Sequence, residues 1–222
     1  MQILIVSATE MEVEPLRQEL GTAVQRNKYH YKHLVIDLLI SGVGMTATAF
    51  ALGRHLVNKN YDLIINLGLA GAFDRELNLA QVVEVITDCF PEMGAENGQQ
   101  FLSLSDLQLQ AADAFPFEKA QIKADLPENL YQTHRWEKVH GITVNTVHGN
   151  PASIAELESI FQPQVESMEG AAFFYACRMM DFPCIQLRSI SNYVEKRNKA
   201  AWKIDPAIQN LTKDTLFLLN DL

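Results

Sequence analysis

The chain has no cysteine pattern for a metal cluster and no basic excess for a nucleic acid. Its only cysteines, Cys89, Cys177 and Cys184, are odd in number and show neither a CxxC pair nor a metal-type spacing. That excludes a zinc site built on cysteine pairs and leaves reduced, buried thiols as the simplest reading. Basic residues are outnumbered, with 18 Lys and Arg against 27 Asp and Glu and a net charge of −9. A basic face for nucleic acid is therefore not expected, although one or two placed arginines still suffice for a small anion. No apolar run approaches the roughly 20 residues that span a bilayer. The leading Met1-Gln2-Ile3-Leu4-Ile5-Val6 has no basic region and too short an apolar run for a signal peptide. A cytoplasmic protein with no membrane partner is expected. No GxxxxGK[ST] occurs, and Gly42-Val43-Gly44 lacks the third glycine of a dinucleotide fingerprint. Nothing calls for a metal ion or a cofactor.

What is present is a globular composition, 48% hydrophobic and 20% charged. Ile3 to Val6 reads as a buried first strand, and Thr9 stands ready to cap a helix that carries Glu10, Glu12 and Glu14. Leu34 to Ile40 is a second strand ending at Ser41-Gly42-Val43-Gly44, followed by a helix over residues 45–58. Asp62 to Leu67 is a third, ending at the glycine turn Gly68-Leu69-Ala70-Gly71. This rhythm points to an α/β architecture with a largely buried sheet. Gln81 to Asp88, Lys138 to Val147 and Cys184 to Ile190 have strand character; Ser153 to Phe161, Glu169 to Met180 and Pro206 to Leu219 read as helices. Residues 91–135 show turn signals at Pro91, Gly94, Gly98, Pro116 and Pro127 but no element. With no repeat and no low-complexity linker, residues 1–222 are taken as one domain.

Ligands of open α/β sheets bind beyond the carboxyl ends of the strands, where Glu12, Gly42, Gly44, Leu69, Gly71 and Asn192 fall. Glu12 is either a solvated first-turn glutamate or a carboxylate that polarises a water, and nothing local decides. Met168-Glu169 opens a helix of small residues, Gly170-Ala171-Ala172, so a ligand can approach the carboxylate closely. A carboxylate there accepts hydrogen bonds from two vicinal hydroxyls, the arrangement a ribose presents. Arg188 stands inside an apolar strand and needs partners, through a structural ion pair or a role in the site. Asn192 ends that strand, where it either tolerates a turn or offers an amide to a ligand. His148, in Val147-His148-Gly149-Asn150-Pro151, either stacks on a ligand or is solvated.

Taken together, Ile3-Leu4-Ile5 with Ala8 and Glu12, Ser41 to Gly44, Asn66 to Gly71, Met168-Glu169 and Arg188 to Ser191 resemble the purine and uridine phosphorylase superfamily. The likeness is to its branch of methylthioadenosine and adenosylhomocysteine nucleosidases. It implies a twisted mixed central sheet flanked by helices, and homo-oligomers whose pockets a neighbouring subunit completes. It also implies roles: Glu12 activating the attacking water, Glu169 backed by Met168 on the ribose hydroxyls, and Arg188 ordering the water region.

Two departures bear on the substrate. Nucleosidases acting on adenine nucleosides carry an Asp where this chain has Asn192. An amide donates two N–H groups, which suit purine N7 and a C6 carbonyl, but it is no general acid. The substitution favours a 6-oxopurine leaving group such as hypoxanthine. Leu69 replaces a Ser, which removes a polar contact near the sugar. Ser167 to Tyr175 and Ile190 to Asn198 are most similar to the futalosine hydrolase family of the menaquinone route. That resemblance implies a hypoxanthine nucleoside with a carboxylate-bearing 5′ substituent, met by Arg197, Lys196 or a residue within 91–135. A methylthioadenosine or adenosylhomocysteine nucleosidase, a phosphorylase, and a non-enzymatic nucleoside-binding protein are the rivals.

Overall fold

Ile3, Leu4, Ile5 and Val6 are fully buried, because the first apolar run forms a strand covered on both faces, β1 (Gln2–Ser7). In chain order the computed structural model continues with α1 (Glu10–Leu20), β2 (Lys28–Tyr31), β3 (Leu34–Ile40), α2 (Met45–His55), β4 (Leu63–Ala72) and β5 (Val82–Asp88). Then come β6 (Gly94–Asn97), β7 (Gln100–Ser103), β8 (Ile122–Lys123), β9 (Glu137–Thr143), α3 (Pro151–Phe161), β10 (Val165–Ser167), α4 (Gly170–Met179), β11 (Cys184–Tyr193) and α5 (Ile204–Asp221). The structure describes residues 1–98, 100–126 and 135–222. The turn signal at Pro127 lies outside them.

β1 runs parallel between β3 and β4, and β2 pairs antiparallel at the outer side of β3. On the other side β4 is followed by β11, β5, β9 and β10. β10 then pairs back onto β4, so these strands close on themselves. This is the mixed central sheet flanked by helices that the sequence leads one to expect.

Alternate residues of the strands feed two cores. Ile3, Ile5, Leu63 and Ile65 pack with Val13 and Leu16 of α1 and Leu211 and Leu218 of α5. Leu4, Val6 and Ile64 pack instead with Leu52 of α2 and Phe173 and Phe174 of α4. Cys89, Cys177 and Cys184 are free, buried thiols. Among the described residues no helix is long and apolar enough to cross a membrane.

The structure departs from the sequence expectation at the two strands that matter most. β4 does not stop at a glycine turn: it runs through Gly68-Leu69-Ala70-Gly71 to Ala72. Gly68 pairs with Arg188 of β11, and a Cβ on Gly68 would lie 2.2 Å from Arg188 Nη1. A Cβ on Gly71 would lie 3.2 Å from Asn192 Nδ2. Both glycines serve close approach of neighbouring side chains, not a turn. The real turn is at Gly42 and Gly44, with φ of +87° and +92°. β11 likewise continues past Ile190, with an irregularity between Ile190 and Asn192 that re-aims the strand end. Asn192 is therefore a strand residue beside a bulge. β9 is shorter than expected, ending at Thr143. In the segment without assigned elements, β6 and β7 form a hairpin and β8 pairs with β5.

These packing differences make a stability test. Gly68→Ala should destabilise the protein by about 1–3 kcal/mol in urea unfolding, as overpacked cores do. Gly53→Ala, inside α2 with nothing within 4 Å of the new Cβ, should stabilise it by up to about 1 kcal/mol. Equal midpoints for Gly68→Ala and the wild type would sink the close-approach reading.

Candidate active site

Glu12 is the third residue of α1, and its side chain turns back toward the helix start. Its Oε2 accepts from Thr9 N at 3.0 Å, Thr9 Oγ1 at 2.9 Å and Ser7 Oγ at 3.0 Å. The bond to the N-cap amide is half of a capping box. The other oxygen, Oε1, accepts from Leu69 N on β4 at 3.2 Å. With 9% exposure, Glu12 is not the solvated first-turn glutamate that its position alone allows. It is an oriented carboxylate held between β1, α1 and β4.

Arg188 is 1% exposed and lies across Gly68. Its Nε donates to Gln186 Oε1 at 2.9 Å, Nη2 to Asn66 Oδ1 at 2.6 Å and Nη1 to Leu69 O at 3.4 Å. Glu169 Oε2 is 3.5 Å from Nη1, an ion pair without close contact. Mostly neutral amides therefore satisfy the guanidinium, and a purely structural ion pair does not describe it. Glu169 caps the start of α4, and its Oε1 accepts from Gly44 N at 3.0 Å. The Gly44 turn thus reaches the carboxylate that opens the small-residue helix. Met168 is half-buried directly before it.

Behind Arg188 lies a buried carboxylate that sequence reasoning missed. Gln186 Nε2 donates to Asp88 Oδ2 at 3.3 Å, and Thr143 Oγ1 to Asp88 Oδ1 at 2.9 Å. A Cβ on Gly170 would lie 2.2 Å from Asp88 Oδ2, so the start of α4 is moulded around this group. Burial pushes the Asp88 carboxyl up to about 7, against the pull of Thr143, Gln186 and the Arg188 charge. Asn66, Gln186 and Arg188 are polar residues inside otherwise apolar strands, and that was the available signal. Gln186 and Arg188, two apart, leave their strand on one face.

On the other side of the same strand ends, Gly71, His148, Glu166, Asn192, Arg197 and Trp202 line a cavity of about 110 Å³. Asn192 Oδ1 accepts from Ser191 Oγ at 2.7 Å, which orients the amide, and Nδ2 donates to Tyr193 O at 3.0 Å. One N–H remains, where two were expected for a base. His148 neither stacks freely nor stands in solvent: its N donates to Glu166 Oε1 at 3.0 Å, and Nδ1 lies 2.9 Å from Oε2. Burial raises the Glu166 carboxyl, and the His148 contacts lower it. Lys196 also lines this cavity. The site therefore brings Glu12, Leu69, Arg188 and Glu169 together on one side, and Gly71, His148 and Asn192 on the other. Leu69 to Gly71 of β4 connects the two. No group of three or more His, Cys, Asp or Glu placed to hold a metal ion occurs among the described residues.

Comparison with known proteins follows the same lines. The family profile of the Phosphorylase superfamily matches residues 2–216. Futalosine hydrolase of Streptomyces coelicolor is 29% identical over 223 residues, covering 96% of this chain and 92% of that protein. Futalosine hydrolase of Thermus thermophilus is 26% identical over 181 residues, covering 82% and 80%. Among solved structures, 5′-methylthioadenosine/S-adenosylhomocysteine nucleosidase of Helicobacter pylori superposes with a TM-score of 0.81 at 15% identity, over 100% of this chain and 98% of that one.

The Asp88 environment sets a pH test. Its folded value of about 7 lies above the ordinary value of roughly 3.9 for an unfolded Asp. Between the two the native state holds a proton that the unfolded chain has lost, so Asp88 stabilises less as pH rises from about 4 to about 7. Asp88→Asn cannot ionise. Its melting temperature relative to the wild type should therefore climb over that window and level off above it. A difference that stays constant with pH would overturn the assignment.

Proposed function

The chain belongs to the Phosphorylase superfamily, and from that premise we propose that it is a hydrolytic N-ribosidase that releases hypoxanthine from futalosine. One observation carries the reading. β4 holds the Glu12 carboxylate on Leu69 N and, two residues on, sets Asn192 beside Gly71. A group able to take a proton from water and a group able to donate to a leaving base thus flank one strand end. The similarity to futalosine hydrolases over most of the chain supports the same substrate.

In this reading C–N cleavage runs ahead of water attack, through an oxocarbenium-like sugar. Glu12, oriented by Ser7, Thr9 and Leu69, takes the water's proton. Glu169, fixed between Gly44 N and Arg188, accepts from the ribose hydroxyls with Met168 against the sugar. Arg188 positions Glu169 and the Leu69 carbonyl. Leu69 leaves the 5′ side apolar. Asn192 donates its remaining N–H to the departing base, whose charge spreads onto the C6 oxygen. Hydrolysis is favoured over phosphorolysis because the 41–44 turn carries no arginine that could clamp phosphate. Completing the reading are one domain over 1–222, a cytoplasmic location and a homo-oligomer whose pockets a neighbour closes. Exposed Val43 in the Gly42–Gly44 turn and exposed Phe50 on α2 support the last.

Release of free base from futalosine, inosine and methylthioadenosine, with and without phosphate, tests the proposal. Futalosine should be cleaved without phosphate; a requirement for phosphate would refute hydrolysis. Glu12→Gln should lower kcat by about 10²-fold or more while ligand binding survives, and retained turnover would remove Glu12 from the reaction. Asn192→Asp should shift preference toward 6-amino nucleosides, so an unchanged base preference would refute the role of the amide.

A further inference from the structure

Three polar side chains are shut away behind Glu169 and Arg188: Asp88 is 1% exposed, and Thr143 and Gln186 are 0%. None can touch a ligand. An apolar sheet has no need of them, because a buried polar group costs free energy unless it is bonded. Asp88 ends β5, Thr143 ends β9 and Gln186 stands inside β11, so three neighbouring strands meet at this point.

The hydrogen bonds of the cluster form two chains, and both lead to Asp88. Ala171 N donates to Thr143 Oγ1 at 2.7 Å, and Thr143 Oγ1 donates on to Asp88 Oδ1 at 2.9 Å. Arg188 Nε donates to Gln186 Oε1 at 2.9 Å, and Gln186 Nε2 donates to Asp88 Oδ2 at 3.3 Å. An ionised carboxylate only accepts, so it turns the Thr143 proton and the Gln186 amide toward itself. Thr143 is left with a lone pair for the Ala171 amide, and Gln186 with its oxygen toward the guanidinium.

Followed outward, the two chains converge on one residue. Ala171 is the second residue of α4, and Glu169 is the N-cap of that helix. Arg188 Nη1 lies 3.5 Å from Glu169 Oε2. One chain therefore holds the backbone that carries Glu169, and the other holds the charge that its carboxylate faces. Gly170 fits between them without a side chain, since a Cβ there would lie 2.2 Å from Asp88 Oδ2 and 2.3 Å from Gln186 Oε1.

We propose that Asp88 is the positioning residue of Glu169, setting the start of α4 through Thr143 and the Arg188 guanidinium through Gln186, so that the carboxylate is aimed at two vicinal ribose hydroxyls. The assignment rests on the reading of Glu169 as the sugar-binding group of a nucleosidase. Hydrogen bonds weaken steeply once misaligned, so losing Asp88 costs hydroxyl recognition and leaves the base contacts alone.

Calorimetry on the intact protein tests this with formycin B, a carbon-linked inosine analogue that hydrolysis cannot consume, and its 2′,3′-dideoxy form. The ratio of the two affinities reads hydroxyl recognition, because base contacts are common to both. A variant that is merely less stable shows fewer sites at an unchanged ratio. The wild type should prefer the diol by at least about 10-fold. Asp88→Ala should bring the ratio to about threefold or less. Asp88→Asn should restore most of it, since its oxygen still accepts from Gln186 and its N–H meets the second lone pair of Thr143. Thr143→Val, which cuts one chain only, should lower the ratio in part. An unchanged ratio in folded Asp88→Ala would overturn the proposal; should that variant fail to fold, an unchanged ratio in Thr143→Val would do so. A wild type indifferent to the hydroxyls would refute Glu169 as the sugar-binding group, and the positioning role with it. Loss of the ratio in Asp88→Ala, in a protein that leaves futalosine uncleaved, would refute the proposed reaction and keep this assignment. Cleavage of futalosine with the ratio intact in Asp88→Ala would refute the assignment and keep the reaction.

Discussion

A guanidinium taken out of water in the middle of a sheet has to be hydrogen-bonded in place, and Arg188 organises its surroundings to that end. An isolated charge at such depth is prohibitive, and an ion pair by itself rarely repays the desolvation. The chain answers with amides. Asn66 and Gln186 interrupt two apolar strands to accept from the guanidinium, and Gly68 gives up its side chain so that Arg188 can lie across β4. Asn66 in turn donates to Val6 O, and Gln186 to Asp88. The glycine at the start of α4 follows from the same network, since Gly170 is where Asp88 and Gln186 come against the helix.

This buried network fixes the groups around Arg188 and Glu169. Glu169 is fixed from one direction by the Arg188 charge and from another by the Gly44 amide, so its orientation is set before any ligand arrives. Glu12 is fixed by contacts from β1, the α1 cap and β4. Groups that must act on developing charge gain from being oriented in advance, because no reorganisation is then needed at the moment of reaction. The Asn192 side rests on different physics: a strand irregularity at Asn192, a strand closure through β10 and a histidine bonded to a carboxylate.

Much of the architecture was legible because its signals are local. Apolar runs bounded by polar or glycine residues marked β1, β3 and β5, and Thr9 with its acidic first turn marked α1. The strand ends were not legible. Gly68 and Gly71 resemble turn residues in one dimension, and only the side chains that approach from β11 and β10 explain them. β6, β7 and β8 are short and carry few buried residues, so no alternation announced them.

The site divides the same way. Residue type alone singled out Glu12, Glu169, Arg188 and Asn192, because carboxylates, an arginine and an amide at strand ends and helix starts are chemically conspicuous. It left open whether Glu12 was solvated and whether His148 was free, and it passed over Asp88 and Glu166. Those answers depend on contacts across long stretches of chain: Glu12 with Leu69, Asp88 with Gln186, and Gly71 with both Glu166 and Asn192. Sequence by itself determined which chemical groups were available and the order of the elements that carry them. Tertiary structure decided which groups meet and which are dry, since register, strand closure and burial belong to the packed sheet and to no single segment of the chain.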